Sequence, residues 1–467
     1  MTVIAFDEVQ HPFEVRIPLV IIGAGACGLV AALAAKELGI ELVVLERDNT
    51  PRGSTFMSSG FIPAANTRFQ TAAGVVDSPG LMVDDIQHKN HNEADPSIVQ
   101  VLADQSARVI EWLADQHKIP FELVQGFLYP GHSQMRMHST PRRTGQELMS
   151  TLLNAAAEAG VDILTNAHVT ALYVDAQSCI QGVSYQQPDG QVETIGCDAL
   201  LLACNGYGGN KALVDKYLPQ MNKALYYGHE GNQGDAVIWG EQLGASLMDL
   251  TAFQGHGSLA DPPQTLISWA VMMQGGVQVN TDTERFADEN QGYSEAAAKV
   301  LAQPTGYVFN IYDERIHQTL LAFEDYQNAL TTKSVKSFAS RAELATGLGL
   351  DDTKLEQMFA LMTQSSEAAE PDALGRTFVP EQQLVAPFYA IKVTGALFHT
   401  QGGLEIDTAG RVLSATGDVM PNLFAAGGAA RGVSGSNDTG YLSGNGLLHA
   451  VVLGAIAGEC AAKKVLS

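Results

Sequence analysis

The sequence predicts an α/β fold with a Rossmann-like nucleotide-binding unit near its beginning, and three observations carry that expectation. Residues 17–22, "IPLVII", form a continuous apolar run of strand length. The run passes straight into "GAGACG" and then into an Ala/Leu-rich helical stretch ending near Leu38. A second apolar run, "ELVVLE" at 41–46, follows and ends in an acid. Gly23, Gly25 and Gly28 therefore stand in GxGxxG spacing between a strand and a helix. The first glycine permits the tight turn, the second lets backbone approach a pyrophosphate, and the third lets helix pack on strand. The helix N-terminus offers amide donors and a positive dipole end, and Glu46 can accept from ribose hydroxyls.

The following segments favour a flavin dinucleotide over a nicotinamide one. "STFMSSGFIPAAN" at 54–66 places small polar residues and glycine soon after the second strand, where backbone can approach a diphosphate and a flavin ring. Residues 163–206 read as three strands with intervening turns. "SRAELATGLGLDDTKLEQMFALM" at 340–362 has apolar residues at helical spacing, with "LGLDD" ending one helix and starting the next. Near the C-terminus, "GRVLSATGDVMPNLFAAGGAA" is again a strand ending in glycines, followed by "SNDTGYLSGNGLL" and an apolar helical run. The amides from about Gly444 onward are expected to face the pyrimidine edge of a flavin.

Composition bounds the alternatives. A chain of 467 residues, 46% apolar and 17% charged, can bury a large core and divide into two domains. Its formal net charge of -24 disfavours nucleic acid and anionic membranes as partners. The five cysteines are odd in number, with no CxxC and no His-rich neighbourhood, so neither a disulfide framework nor a metal site is expected. No export signal and no apolar run of spanning length is read, and reduced thiols point to the cytoplasm.

In order along the chain, "GAGACG", "VVLE", "SSGF", "GNQGDAVIWGEQLGA", "FQGHG", "ERFADEN", "APFYAIKV", "HTQGGLEID", "NLFAAGG" and "GYLSGNG" resemble the fumarate reductase and succinate dehydrogenase flavoprotein superfamily, which includes the 3-ketosteroid dehydrogenases. The resemblance implies a Rossmann-like FAD-binding domain of the GR2 type, built from residues 1–251 and 399–467, with an inserted α+β capping domain over 252–398. It further implies FAD contacts at Gly23, Gly25, Ala26, Cys27 and Gly28, at Glu46 and Arg47, and at Ser58, Ser59 and Gly60. Val169, Ala203, Asn205, Gly206, Asp235, Gly427 and Gly428 belong to the same implied set, as do Ser443, Gly444, Asn445 and Leu447. Two departures from the family pattern are visible: this chain reads "ACNGYGGN" where the family often has a threonine and paired glycines, and Gly428 stands where an acid is usual. No histidine matches the one that carries covalent flavin in respiratory complexes, so noncovalent FAD is expected.

The reactive positions divide the superfamily. His256 and His399 match the histidines at the two ends of the fumarate reductase cap, and each reads equally as a substrate contact or as a hydrogen-bonded hinge residue. The two arginines of those enzymes are absent, since their places fall at or beside Tyr293 and near Asp438. Loss of both removes the bidentate contacts that orient a carboxylate. The ketosteroid dehydrogenase branch instead places tyrosines at these two points, and its delta-4 members resemble "GYLSG". On that resemblance Tyr441, assisted by a backbone N–H near Asn445, polarises a ketone oxygen, Tyr293 exchanges the alpha proton, and Ser443 relays it. A tyrosine with a pKa near its reference value of about 10 is a poor base at neutral pH, so a relay through a hydroxyl or water, or reversal of the reaction, would make it effective. Tyr129 in "FLYPGH", and Arg142 and Arg143 in "TPRRTG", are further candidates, to contact substrate, anchor an acid or touch FAD.

Three functions stay open at this level. One is an FAD-dependent dehydrogenase or ene reductase acting on the carbon–carbon bond beside a ketone, with an unidentified electron acceptor. Another is a carboxylate-directed reductase in which Arg142, Arg143 or Arg431 replaces the missing clamp. The third is a flavin-binding protein without turnover.

Overall fold

The apolar run at 17–22 becomes the strand Arg16–Ile22, completely enclosed from Leu19 to Val20 and Ile21, because both of its faces are covered. The computed structural model describes residues 1–8, 13–126 and 128–467. These divide into two units: Met1–Leu218 with Gly228–Phe253 and His399–Ser467, and Pro219–Tyr227 with Gln254–Phe398.

In the first unit, Arg16–Ile22 lies between Leu42–Leu45 and Val192–Leu202, parallel to both. The sheet runs on through Asp162–Leu164 beyond Leu42–Leu45, and through Ile180–Gln186, His168–Val174 and Thr2–Ala5 on the other side. Val419–Ala425 pairs in parallel with Val192–Leu202, so the far end of the sequence enters the same sheet. The helix Ala26–Glu37 follows the glycine turn, and the helical run Asn445–Leu466 packs along it. Small residues set that approach: a Cβ on Gly458 would lie 2.2 Å from the Ala31 carbonyl oxygen. This run does reach spanning length by size and composition, contrary to the sequence expectation. Its apolar character has another cause, since 72% of its most apolar window is buried inside the protein.

The second unit is built on a strand over Phe388–Thr400, which pairs antiparallel with Tyr307–Asp313 and Val335–Phe338. The helices Arg341–Leu348 and Asp352–Ala368 fall where the periodicity predicts them. Gly349 ends the first in the left-handed conformation, and the Asp351 carboxylate caps the amides of Thr353 and Lys354 at the start of the second. Leu344, Ala345, Leu355 and Met362 close an apolar cluster with Phe309 and Phe388. Residues 219–227, placed with 1–251 in the sequence reading, group instead with this unit. The reason is parallel pairing of Leu225 and Tyr226 with Ala396 and Leu397.

Candidate active site

The glycine turn makes a cradle. Gly23 has φ +104°, and a Cβ there would sit 2.5 Å from the Ala203 carbonyl oxygen. A Cβ on Gly28 would lie 1.9 Å from the Gly23 oxygen, whereas on Gly25 the nearest atom is Thr55 Oγ1 at 3.8 Å. Backbone contact therefore demands glycine at 23 and 28, while Gly25 borders open space. Gly25 caps the helix beginning Ala26, Cys27, Gly28 without a side-chain hydrogen bond, and no acid lies in its first turn. The Ala26 amide donates to Thr55 Oγ1 at 3.3 Å. Such an open N-terminus suits a diphosphate. Gly28→Ala is accordingly expected to cut FAD retention at least tenfold, read as flavin absorbance per protein, with the far-UV circular dichroism kept as the check on folding.

Around the cradle, Glu46 is nearly enclosed and accepts from the amides of Ala24 at 2.8 Å and Asp48 at 3.1 Å. Burial raises its pKa, and these amide bonds oppose the rise. Each carboxylate oxygen keeps accepting capacity for a ribose hydroxyl. Arg47 donates to the Gly231 carbonyl, and Val169 lies just past Ala167, whose amide bonds the Glu46 carbonyl at 2.8 Å. Ser58 takes the Gly145 amide on its carbonyl at 2.7 Å, Gly60 turns against Thr144 with φ +68°, and Ser59 is exposed. Asn205 donates to Ser54 at 3.2 Å and accepts from Gly206 N at 2.8 Å. Asp235 opens the helix Asp235–Leu243; burial pushes its pKa up to about 6, and its Oδ1 has no hydrogen-bond partner among the described residues. An open glycine cradle, an uncapped helix and an unpartnered buried carboxyl oxygen together fit a bound dinucleotide.

The C-terminal loop meets this cradle within the first unit. Tyr441 is buried and its side chain folds forward over the start of the helical run, where its phenol oxygen accepts from Gly446 N at 3.5 Å. Burial pushes the phenol up to about 12, and the backbone amides near Gly446 pull against that. Gly444 is left-handed with φ +86°, and a Cβ there would strike Pro63 at 2.7 Å. Ser443 is buried, and its carbonyl takes a hydrogen bond from His132 Nε2 at 2.9 Å. Neither polar atom of the buried Asn445 amide finds a partner among the described residues, and Leu447 is half-buried. His399 Nδ1 accepts from Gln401 Nε2 at 2.8 Å, and Gln401 Oε1 accepts from Ser434 at 3.1 Å. Burial lowers His399 to about 4, so the ring is neutral at pH 7. A Cβ on Gly428 would lie 2.7 Å from His399 Nε2, and Gly427 borders Cys27. Tyr129 packs edge-on to Phe61 at 5.8 Å, with its pKa raised by burial.

The cations considered for a carboxylate clamp stand at different points, and Arg143 is close enough to Tyr129 to act on its phenol electrostatically. Arg142 and Arg143 are exposed. Arg431 is held by Asp249, with Nε 2.5 Å from Oδ2, which already neutralises it. Asp438 lies half-buried in the loop before Tyr441.

His256 and Tyr293 come together in the second unit. Tyr293 opens the helix Tyr293–Leu301, and its ring stacks on His256 at 4.8 Å. His256 stacks in turn on Phe398 at 5.4 Å, and Phe398 on Tyr227 at 5.0 Å, with Trp269 edge-on to His256 at 5.9 Å. Ser294 Oγ accepts from Gly255 N at 2.9 Å, tying the helix start to the histidine strand. The Ser258 amide donates to His256 Nδ1, leaving the ring proton on Nε2, and burial lowers this histidine to about 3. The charged residues of "ERFADEN" are structural: Glu289 pairs with Arg285 at 2.6 Å and Arg376 at 2.8 Å, and its carbonyl takes the Trp269 indole N–H at 3.0 Å.

Sequence reasoning missed Gln401, although its spacing two residues from His399 in an extended segment signals a shared face. It also missed His132 and Phe398, for which the sequence carries no periodic sign.

A family model described as an FAD binding domain matches residues 19–447. A probable fumarate reductase from Shewanella frigidimarina is 29% identical over 448 residues, 96% of this chain and 75% of that protein. Among solved structures, the open conformation of a flavocytochrome c3 fumarate reductase superposes with a TM-score of 0.82 at 28% identity, covering 97% of this chain and 79% of that one. The 3-ketosteroid-Δ4-(5α)-dehydrogenase from Rhodococcus jostii RHA1, in complex with 4-androstene-3,17-dione, gives a TM-score of 0.80 at 21% identity over 99% and 100% of the two chains, a likeness of fold.

Proposed function

The chain belongs to the FAD binding domain family and is an FAD-dependent oxidoreductase, and from that premise we propose that it desaturates, or in reverse reduces, the carbon–carbon bond beside a ketone on a cyclic substrate. The observation that carries this reading is the character of the groups around Tyr293. Stacked aromatic rings and a neutral histidine flank it, and the nearby arginines Arg285 and Arg376 are committed to Glu289. Planar apolar surface suits a ring system, and a dicarboxylate would need unspent cations.

FAD, held noncovalently by the cradle, the Glu46 edge and the amides near Asn445, supplies hydride acceptance or donation. Tyr441 donates its O–H to the ketone oxygen, and the Gly446 amide on the phenol oxygen makes that O–H a stronger donor. Charge developing on the enolate strengthens the same bond, as in an oxyanion hole. Tyr293 is assigned the exchange of the alpha proton, and Ser443 the part of a relay hydroxyl, as the family resemblance implies. His399, locked by Gln401, is the substrate contact assigned within the first unit, with Tyr129 and Asn445 as further contacts there.

The fumarate reductase relatives favour a second reading, carboxylate-directed reduction. The pairing of Arg431 with Asp249 weighs against it. Anaerobic bleaching separates the readings. The protein is expected to purify yellow, release FAD on mild denaturation, and bleach with a 3-keto steroid or a smaller cyclic ketone. Reoxidation of the reduced flavin by fumarate, with no response to ketones, would establish the second reading, and no response to either would leave a binding protein.

A further inference from the structure

We propose that Gln278 is a positioning residue for His256, acting through the Gly257–Ser258 peptide: its side-chain amide holds the carbonyl of that peptide, and the N–H of the same peptide holds Nδ1 of the ring on which Tyr293 stacks. This rests on the role given to Tyr293 above.

Gln278 and Asn310 stand opposite each other on the paired strands Val277–Val279 and Tyr307–Asp313, and both are buried. Asn310 shares its side of the sheet with Val308 and Tyr312, which belong to an apolar cluster. Amides among such neighbours are costly unless they are hydrogen-bonded. Here their bonds converge on the strand that carries His256. Gln278 Nε2 donates to the Gly257 carbonyl at 2.7 Å and to Asn310 Oδ1 at 3.0 Å, and Asn310 Nδ2 donates to Ser258 Oγ at 2.6 Å. A carbonyl only accepts, so the bond to Gly257 fixes which end of the Gln278 amide points there, and the second bond then fixes Asn310.

The C=O of Gly257 and the N–H of Ser258 belong to one resonance-coupled unit. A donor on the oxygen polarises the N–H, and successive hydrogen bonds strengthen one another by roughly 10–30% each. The Ser258 amide donates to His256 Nδ1 at 3.1 Å, so the ring keeps its proton on Nε2. Tyr293 lies over that ring with 4.8 Å between centroids and 20° between planes. The same peptide is also where the tyrosine's helix closes on the strand, since a Cβ on Gly257 would lie 2.5 Å from the Ala296 Cβ. Gln278 is itself held from behind: its backbone amide donates at 3.1 Å to Glu289 Oε1, the carboxylate paired with Arg285 and Arg376. Its side chain therefore bears on the tautomer of the histidine and on the seat of the tyrosine together.

The test uses FAD-loaded protein labelled with ¹⁵N-histidine, in which the His256 resonances are those missing from His256→Gln. Gln278→Met keeps the side-chain length and removes the donor. Gln278→Met combined with Asn310→Leu removes both amides, so neither is left facing an apolar partner, and stability is separated from positioning. The expected result is a displaced His256 Nδ1 resonance in both variants, with FAD retained, while the melting temperature drops in the single variant and recovers in the double one. With a ketone that bleaches the flavin, kcat falls about 10-fold in both while KM stays within about twofold. An unmoved Nδ1 resonance in Gln278→Met, or one that returns to the parent position together with the melting temperature in the double variant, overturns the proposal. Should Gln278→Met fail to fold, the double variant decides alone: a displaced resonance supports the proposal and an unmoved one overturns it. If no ketone bleaches the flavin and the resonance is still displaced in both, the ketone chemistry fails and the Gln278 link stands.

Discussion

Tyr441→Phe lowers kcat for a turned-over cyclic ketone by about 100-fold or more, a rise of about 3 kcal/mol in the barrier, with little change in ground-state binding. The substitution deletes one hydroxyl from a side chain that is 5% exposed and already packed, so the ring volume and the fold are kept. What is lost is a donor whose bond strengthens as negative charge gathers on the ketone oxygen. The Gly446 amide then faces an apolar ring edge and loses this acceptor. Ser443→Ala does milder damage, because water can stand in for a relay hydroxyl. Steady-state kinetics decide the matter: an unchanged kcat with a raised KM would make Tyr441 a binding contact and remove the proposed mechanism.

Tyr293→Phe is expected to leave FAD bound and to lower turnover by orders of magnitude, since it removes a proton-transfer group while keeping the ring. The stack on His256 at 4.8 Å is conserved by phenylalanine, and so is the tie between Ser294 and Gly255. Flavin absorbance per protein reads the first expectation, and anaerobic single-turnover bleaching reads the second. Near-parent rates would return Tyr293 to the role of a packing ring.

The nucleotide cradle is legible in the sequence because local geometry dictates it. Gly23 and Gly28 are required by backbone oxygens within 2.5 Å of any added Cβ, and that demand survives as GxGxxG spacing. The helix pair at 341–368 is legible for the same reason, with Gly349 and Asp351 marking the stop and the start. The hydroxyls at 441 and 443 can be picked out among the glycines, and what they touch cannot. That the phenol folds forward onto the Gly446 amide goes with φ +86° at Gly444, which letters alone do not state. The ring stack is hidden more deeply. Tyr227, His256, Tyr293 and Phe398 come from separate segments, brought together by strand pairing that leaves no periodic trace. The helical run at 445–466 shows the opposite case, where composition is plain and its cause lies in packing against Ala26–Glu37.

That packing has a consequence for biosynthesis. The helix after the glycine turn, Ala26–Glu37, and the helical run after the tyrosine loop lie against each other through Ala31 and Gly458, and the strand Val419–Ala425 closes on Val192–Leu202. These partners are far apart in translation order, so the ribosome releases the first long before the second exists. Until then the apolar face of Ala26–Glu37 that packs on the C-terminal run lacks that cover. Flavin capture is then a late event, and a ribosome stalled ahead of Val419 would display a chain that holds no cofactor.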